Sequence, residues 1–496
     1  MGTPYDEQLR RKAARLSAAL GRFPHLGLPV PRPIVGSAWT AAYRHRLKLP
    51  VFHGRDGVAV GLYDRDGHNV LDTPDCMVLA DPLRAALPKL IGWLRGHHEV
   101  HSIDLRASHA TGALQLVLAV HGDLTGGARG IRDLQRQLPS LRSVAVSRAD
   151  PDGKRVMGSS PRLLAGDGEI EERIGDAAYR LFPGAFFQVD PRQAVVLQNL
   201  VRDGVGDAKS LLDLYAGVGA YALALAPGRT RVVAVEEVPQ AAEAARAVAP
   251  PNVKVITSKV EDWTPEGSFD AVIVNPARRG SDPASLARVA KLAPRLVYVS
   301  CGPETLARDL DVLAAHGMRV KSIQPIDLFP QTHEVETVVT LERGPALTTW
   351  EVPGGRARTP WLDEPGGAIG RPDAAIAYVI GDTGARGTLP GARFERLALV
   401  ATHSLVRIEG PGFNLVRALS ALSSRGHPVV FRDFKTRRFF AEKAGLSRDF
   451  VHIERAGGGH APLHGDLQLA LDALGQAPAG KKTPVREDRR PQKRRR

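Results

Sequence analysis

Residues 210–219 read SLLDLYAGVG and residues 231–237 read RVVAVEE, and these two stretches decide the fold. An apolar run passes through Asp213 into a turn holding Gly217 and Gly219, and a second apolar run ends at Glu236. Glycines at a strand-to-helix junction let the backbone approach a ligand closely. An acid ending the next strand can take both hydroxyls of a ribose. The third glycine of the dinucleotide fingerprint is missing, since Tyr221 and Ala222 follow Ala220, so a pyrophosphate has no obvious cradle. The pattern suits S-adenosylmethionine better than NAD, with Asp213, Tyr215, Gly217 and Glu236 as the candidate cofactor residues. The alternative is a tight turn followed by a solvated glutamate.

Outward from this loop, the chain from about Tyr179 alternates helix (192–205) with apolar runs at VKVIT, FDAVIVN and RLVYVSC. Such alternation predicts an α/β, doubly wound, mostly parallel sheet. Residues 6–21 carry Leu9, Ala13, Leu16 and Leu20 at helical spacing, and Pro24 to Pro33 end that helix. Between Trp39 and about Arg162, alternating runs such as RLKLPVF and LQLVLAV surround a helix-like LRAALPKLIGWL, which predicts an α+β domain. A Pro/Gly-rich stretch, Val352 to Pro372, reads as a linker before a last unit. The expected divisions are 1–35 (helix and connector), 36–165 (central α+β domain), 166–345 (cofactor domain), 346–373 (linker), 374–475 (a small α+β unit) and 476–496 (basic tail).

A chain of 496 residues exceeds one ordinary domain, and 43% hydrophobic with 24% charged residues excludes wholesale disorder and a membrane bundle. The net charge is +14, and residues 481–496 hold nine Lys/Arg against two acids, half of that excess. That tail is either a solvated segment or an electrostatic arm for RNA phosphates. Cys76 and Cys301 supply neither a disulfide framework nor a four-cysteine metal site. A reducing cytoplasm is expected, with no export signal and no membrane anchor.

Cys301 follows the apolar run 296–299 and precedes Gly302-Pro303, which puts it at the C-terminal edge of the parallel sheet, where such folds bind ligands. By position alone it is either a nucleophile or a small buried hydrophobe. SCGPETLARDL (300–310) with DLFPQTHEVETV (327–338) resembles the signature of the bacterial S-adenosylmethionine-dependent RNA uridine C5 methyltransferases. YRHRLKL (43–49), PGAFFQVD (183–190), the glycine loop and NPARRG (275–280) extend the resemblance from about Tyr5 to Arg343. It implies a class I methyltransferase domain after a central RNA-binding domain, Cys301 as nucleophile, Glu336 as base, and Gln188 and Asn275 lining the pocket for cofactor and uracil.

That chemistry asks for these residue types. A thiolate adding at C6 makes C5 of uracil nucleophilic toward a methyl sulfonium, and a carboxylate must then remove the C5 proton. Glu334 is the rival base. The alternation Glu334, Val335, Glu336 puts both acids on one face of a strand, and only the resemblance favours the second. His333 reads as a polar neighbour. The chain departs from the family at Gly302, where an asparagine is frequent and the change is expected to loosen the loop, and at Ala277. It departs also at Lys259, near the expected adenine, with Glu261 or Asp262 as substitutes. Only Cys76 matches one of the four cysteines of the iron–sulfur cluster found in many relatives, so no cluster is expected; nor is the small N-terminal barrel of some members.

FERLALVATHSLVRIEGPG (394–412), LVRALSALSSRGHPVVF (415–431) and FVHIERA (450–456) resemble the second half of the large pseudouridine synthase family, with Arg417 and Gly426-His427-Pro428 carrying most of the match. The catalytic R-L-D motif of that family lies in a first half absent here, and Trp361-Leu362-Asp363 is a poor stand-in. An inactive, RNA-binding unit is expected. The implied activity is uridine C5 methylation giving 5-methyluridine, in ribosomal rather than transfer RNA, by a monomer with no DNA or membrane partner. The alternatives are a cytosine C5 methyltransferase, which would need a cysteine within NPARRG, and a non-catalytic RNA-binding or ribosome-assembly protein that keeps the fold.

Overall fold

The computed structural model describes most of residues 2–344, short strands at 348–352 and 355–359, most of 373–429, and strands within 451–460. The basic tail, Trp361-Leu362-Asp363 and Pro428 lie outside the described residues.

The first helix, α1 (Tyr5–Gly21), buries Gln8, Lys12, Leu16, Ala19 and Leu20. Leu16 and Leu20 of the expected stripe are thus buried, Leu9 and Ala13 are half-buried, and the inner face also takes in Lys12. A seven-stranded sheet follows, built from β1 (Arg46–Gly54), β2 (Gly57–Tyr63), β3 (Val70–Asp72), β4 (Val100–Ala107), β5 (Leu114–Val120), β6 (Leu141–Arg148) and β7 (Arg162–Gly166) in the order β3-β2-β1-β4-β5-β6-β7. The helices α2 (Asp81–Leu94) and α3 (Gly127–Gln137) pack on it. Strand alternation sends Leu47, Leu49, Ile103, Leu105, Leu116 and Leu118 into the core with Leu83, Leu87 and Leu90 of α2.

The opposite face is polar and buries an ion pair. Arg46 makes a fork on Asp104 at 2.8 and 2.6 Å, and its Nη1 donates to the Ala185 carbonyl at 2.6 Å. Arg106 donates to the same carbonyl. Burial and the neighbouring Arg46 push the Arg106 guanidinium down to about 9. The sheet thereby holds the 183–188 loop, which follows a hairpin of β8 (Ile170–Ile174) and β9 (Ala177–Leu181).

After α4 (Pro191–Val205), whose Asp190 N-cap accepts from the backbone of Arg192 and Gln193, comes the second seven-stranded sheet. It contains β10 (Ser210–Leu214), β11 (Arg231–Glu236), β12 (Val253–Thr257), β13 (Ala271–Val274), β14 (Arg295–Ser300), β15 (Met318–Ile326) and β16 (Glu336–Arg343), ordered β12-β11-β10-β13-β14-β16-β15. The first five are mutually parallel; β16 runs antiparallel to both β14 and β15. Near-continuous burial along β10, β11, β13 and β14 is what strands covered on both faces require. The helices α5 (Ala222–Leu225), α6 (Pro239–Val248), α7 (Pro283–Val289) and α8 (Pro303–Ala315) connect them. The helix expected after the glycine loop is one turn only, because Pro227 and Gly228, at φ +75°, end it. Residues 32–35 lie along β15, with Val35 bridging Ile326, and so cover that edge strand.

The expected linker carries an element that its Pro/Gly content hides: β17 (Thr348–Val352), rich in residues suited to strands, pairs with β18 (Gly355–Thr359). Beyond it, an antiparallel sheet of β19 (Ala374–Ile380), β20 (Arg386–Leu389), β21 (Ala392–Val400), β22 (His403–Glu409), β23 (Val451–Ala456) and β24 (Gly459–His460) is ordered β20-β21-β22-β19-β23-β24. Leu415, Leu419 and Leu422 of α9 (Leu415–Ser424) pack into its core, and Arg417 is exposed.

The Arg46–Asp104 pair yields a stability prediction. Removing one partner leaves the other charge buried and uncompensated. Asp104→Ala should therefore lower the free energy of urea unfolding by roughly 3–5 kcal/mol, whereas a loss below about 1 kcal/mol, the scale of an exposed pair, would contradict this account.

Candidate functional site

The site is assembled at the edge of the second sheet where its parallel strands end. Asp213, in β10, is fully buried; Oδ2 accepts from the Ala222 amide at 2.9 Å and Oδ1 has no partner. Burial, with help from Glu236, pushes its carboxyl up to about 7. Glu236 ends β11, and its two oxygens accept from the amides of Gly217 and Val238, each at 2.8 Å. A carboxylate has about four acceptor positions, so two remain for a ligand. Tyr215 takes φ +61°, a conformation unusual for a residue with a side chain. Its hydroxyl pairs with the Ser281 hydroxyl at 2.6 Å. Gly217, at φ +58°, has open space on the side where a Cβ would point.

Gln188, Tyr215, Gly217 and Asn275 line one cleft together with Phe186 and Phe187. Asp213 and Glu236 stand outside that lining and hold the loop that forms it. The residues present fit S-adenosylmethionine: a loop without a bulky Cβ at Gly217, a carboxylate with spare acceptor positions, and a largely apolar wall. Of the two acids expected to substitute near the adenine, Glu261 is close enough to help raise the Tyr215 hydroxyl. Lys259 is exposed.

Cys301 lies between β14 and α8, immediately before the helix N-cap, Gly302. The β14–β16 ladder pairs Ser300 with Thr337; Cys301 follows that last rung and Glu336, the first residue of β16, precedes it, so the Glu336 charge reaches the thiol. Glu336 is 5% exposed. Burial pushes its carboxyl up to about 8, against the pull of Arg278 and with a further push from Glu334. Burial and the Glu336 charge push the Cys301 thiol up to about 11, while Arg278 draws it down.

Two expectations are corrected by this geometry. Gly302 does not loosen its loop. Its amide donates to Ser300 Oγ at 3.2 Å, its carbonyl accepts from Thr305 Oγ1 at 3.0 Å, and a Cβ there would meet that hydroxyl at 2.7 Å. Nor do Glu334 and Glu336 share a strand face. The strand begins at Glu336, and Glu334 precedes it, bound to Arg278 at 2.9 Å with His333 at 3.6 Å. Residue patterns quoted from the sequence contained Arg278 and Phe186 without assigning them. Arg278 emerges from its charge beside Cys301 and Glu336, and Phe186 from being 70% exposed at the cleft. Among the described residues no group of three or more His, Cys, Asp or Glu could hold a metal, and no helix is long and apolar enough to cross a membrane.

Glu336 carries a pH signature. The folded chain keeps this proton up to about pH 8, whereas an ordinary glutamate releases it near 4.5. The native state therefore binds more protons between those values, so this group's contribution to stability is full below pH 4.5 and is lost as pH rises through 8. Urea unfolding at pH 5 and pH 9 should show Glu336→Gln losing less stability across that window than wild type, and identical losses would refute the assignment.

Comparison with known proteins agrees with this geometry. The sequence profile of the tRNA (Uracil-5-)-methyltransferase family matches residues 259–344, and that of the methyltransferase small domain matches 183–292. An uncharacterized RNA methyltransferase of Gloeobacter violaceus is 34% identical over 361 residues, covering 68% of this chain and 79% of that protein. Another, from Oceanobacillus iheyensis, is 30% identical over 363 residues with the same coverage. Among solved structures, the tRNA (uracil-54, C5)-methyltransferase of Pyrococcus abyssi, in complex with S-adenosyl-L-homocysteine, superposes with a TM-score of 0.56 at 27% identity, over 68% of this chain and 84% of that one. By its cofactor loop, its fold and these relatives, the chain belongs to the S-adenosylmethionine-dependent RNA methyltransferases of the uracil-5 family.

Proposed function

We propose that the protein methylates C5 of a uridine in RNA through a covalent adduct between Cys301 and C6. The observation that carries this reading is the meeting of a thiol that follows β14 and a buried carboxyl that opens its antiparallel neighbour β16, Cys301 and Glu336, with the charge of Arg278 reaching both. Cys301 loses its proton to water and its sulfur bonds to C6; the C5=C6 π electrons become C4=C5 and the carbonyl π pair moves onto O4. The cofactor would supply an electrophilic methyl group, taken by C5 of the enolate as the methyl–sulfur bond breaks and the sulfur leaves as a neutral thioether. Glu336 then accepts the C5 proton, the C–H electrons restore C5=C6, and Cys301 leaves as a thiolate. The α8 N-terminus and Arg278 favour that thiolate at both ends of the cycle.

Gln188 and Asn275 supply polar groups at the cleft and Phe186 an exposed face for a base. The uridine must leave its stack to reach Cys301. Reliance on a free thiol supports a reducing cytoplasm, and one chain carries every group named, so a monomer suffices. Both the family description and the Pyrococcus protein name transfer RNA; transfer RNA is therefore to be assayed beside the ribosomal RNA favoured from the sequence. The C-terminal unit and basic tail would add RNA affinity by counterion release.

RNA carrying 5-fluorouridine tests the adduct, since fluorine cannot leave as a proton does. Wild type should form a denaturant-stable protein–RNA complex and Cys301→Ser none; an active wild type that forms no complex refutes the mechanism. Glu336→Gln should add and methylate but stall at release, accumulating a methylated complex on unmodified RNA, and stalling by Glu334→Gln instead would move the base by two residues. Because turnover needs the thiol–carboxyl pair to shed one proton, the rate should rise with pH through about 8.

A further inference from the structure

The N-terminal helix reaches the loop that precedes Glu336. Lys12 is buried on α1, and its Nζ donates to Asp327 Oδ1 at 2.6 Å and to the Phe329 carbonyl at 3.0 Å. The Tyr5 hydroxyl donates to the other Asp327 oxygen at 3.0 Å. Gln8 forms a reciprocal pair with Gln331: its Nε2 donates to Gln331 Oε1, and its Oε1 accepts from the Gln331 amide, each at 2.9 Å. All of these contacts fall on residues 327–331, some three hundred positions along the chain.

That segment is the start of the loop joining β15 to β16. Its ends form a single rung, Ile326 paired with Glu336. Any slack in the loop is therefore delivered to Glu336, the residue that closes it. Gln331 has φ +67°, a left-handed conformation that a side-chain-bearing residue keeps only when its surroundings over-determine it. The Gln8 pair grips both its amide and its side chain.

We propose that α1 is a positioning element for proton abstraction, with Gln8 and Lys12 clamping the 327–331 turn and so fixing the Glu336 carboxyl relative to Cys301. The inference rests on the reading of Glu336 as base. It makes a distinction that a merely structural helix would not: loosening the clamp slows release of the methylated adduct and spares its formation. Adduct formation draws on Cys301 and the N-terminus of α8, which follow β14; α1 also meets α8 through Arg15 and Glu304 at 3.1 Å, a pair that the clamp variants leave unchanged.

The test is a single-turnover time course on unmodified RNA, quenched in denaturant, that reads how fast the covalent complex forms and how long it lasts. Gln8→Ala should lengthen the adduct lifetime about five-fold, the scale of one lost hydrogen bond, with formation within about two-fold of wild type. Glycine takes positive φ without support, so adding Gln331→Gly to Gln8→Ala should bring the lifetime back toward wild type. Tyr5→Phe, which keeps the packing and removes one bond to Asp327, should give a smaller lengthening in the same direction. A wild-type lifetime in both Gln8→Ala and Tyr5→Phe, or equal slowing of formation and release, would overturn the clamp. Glu336→Gln, run alongside, separates the two claims. If it stalls while the clamp variants do not, the clamp alone fails; if it releases RNA at the wild-type rate, the base assignment fails and the clamp with it.

Discussion

Strand β16 runs against the five parallel strands beside it, and that reversal governs the site. Parallel strands all finish at one edge of a sheet, so that edge collects loops and the residues that end strands. An antiparallel neighbour begins there instead. Its first residue, Glu336, thereby comes within electrostatic reach of Cys301, which follows the last residue of β14. Glu336 is buried and Cys301 half-buried, and each resists the charged form as a result. Deprotonation of either is costly in isolation; Arg278 offsets it for both, and the α8 N-terminus for the thiol. A pair that holds its protons until substrate arrives is suited to a reaction that needs a thiolate at one moment and a carboxylate at another.

The cofactor side follows from a different constraint, the sharp turn between β10 and α5. Tyr215 and Gly217 both take positive φ, and the turn keeps that shape because Asp213 and Glu236 accept from the amides of Ala222 and Gly217. The same turn is tied through Tyr215 and Ser281 to buried Asp309 of α8, which accepts from the Ser281 amide at 2.9 Å and from the Tyr298 hydroxyl at 2.5 Å. The helix that follows the nucleophile therefore also buttresses the loop that receives the cofactor, so the two reacting partners share one scaffold.

Much of this was legible in the sequence, because local chemistry determines it. The glycine loop, the acid ending the next strand and the apolar runs of the parallel sheet each follow from residues within a few positions of one another. What was not legible depends on long-range register. Glu334 and Glu336 look equivalent in a string, and only the point where β16 begins separates an ion-paired loop residue from a buried one. Lys12 lies off the apolar stripe of its helix, and its partner Asp327 lies 315 residues away. Gly302 looked like slack, and the two hydroxyls that pin it become visible only once the loop is folded.

The most direct test of uridine C5 methylation is nucleoside mass spectrometry of transfer and ribosomal RNA from cells lacking the gene. This account requires the loss of 5-methyluridine at a defined position, restored by the wild-type gene and not by one encoding Cys301→Ser. An unchanged 5-methyluridine content in both RNA classes would contradict it.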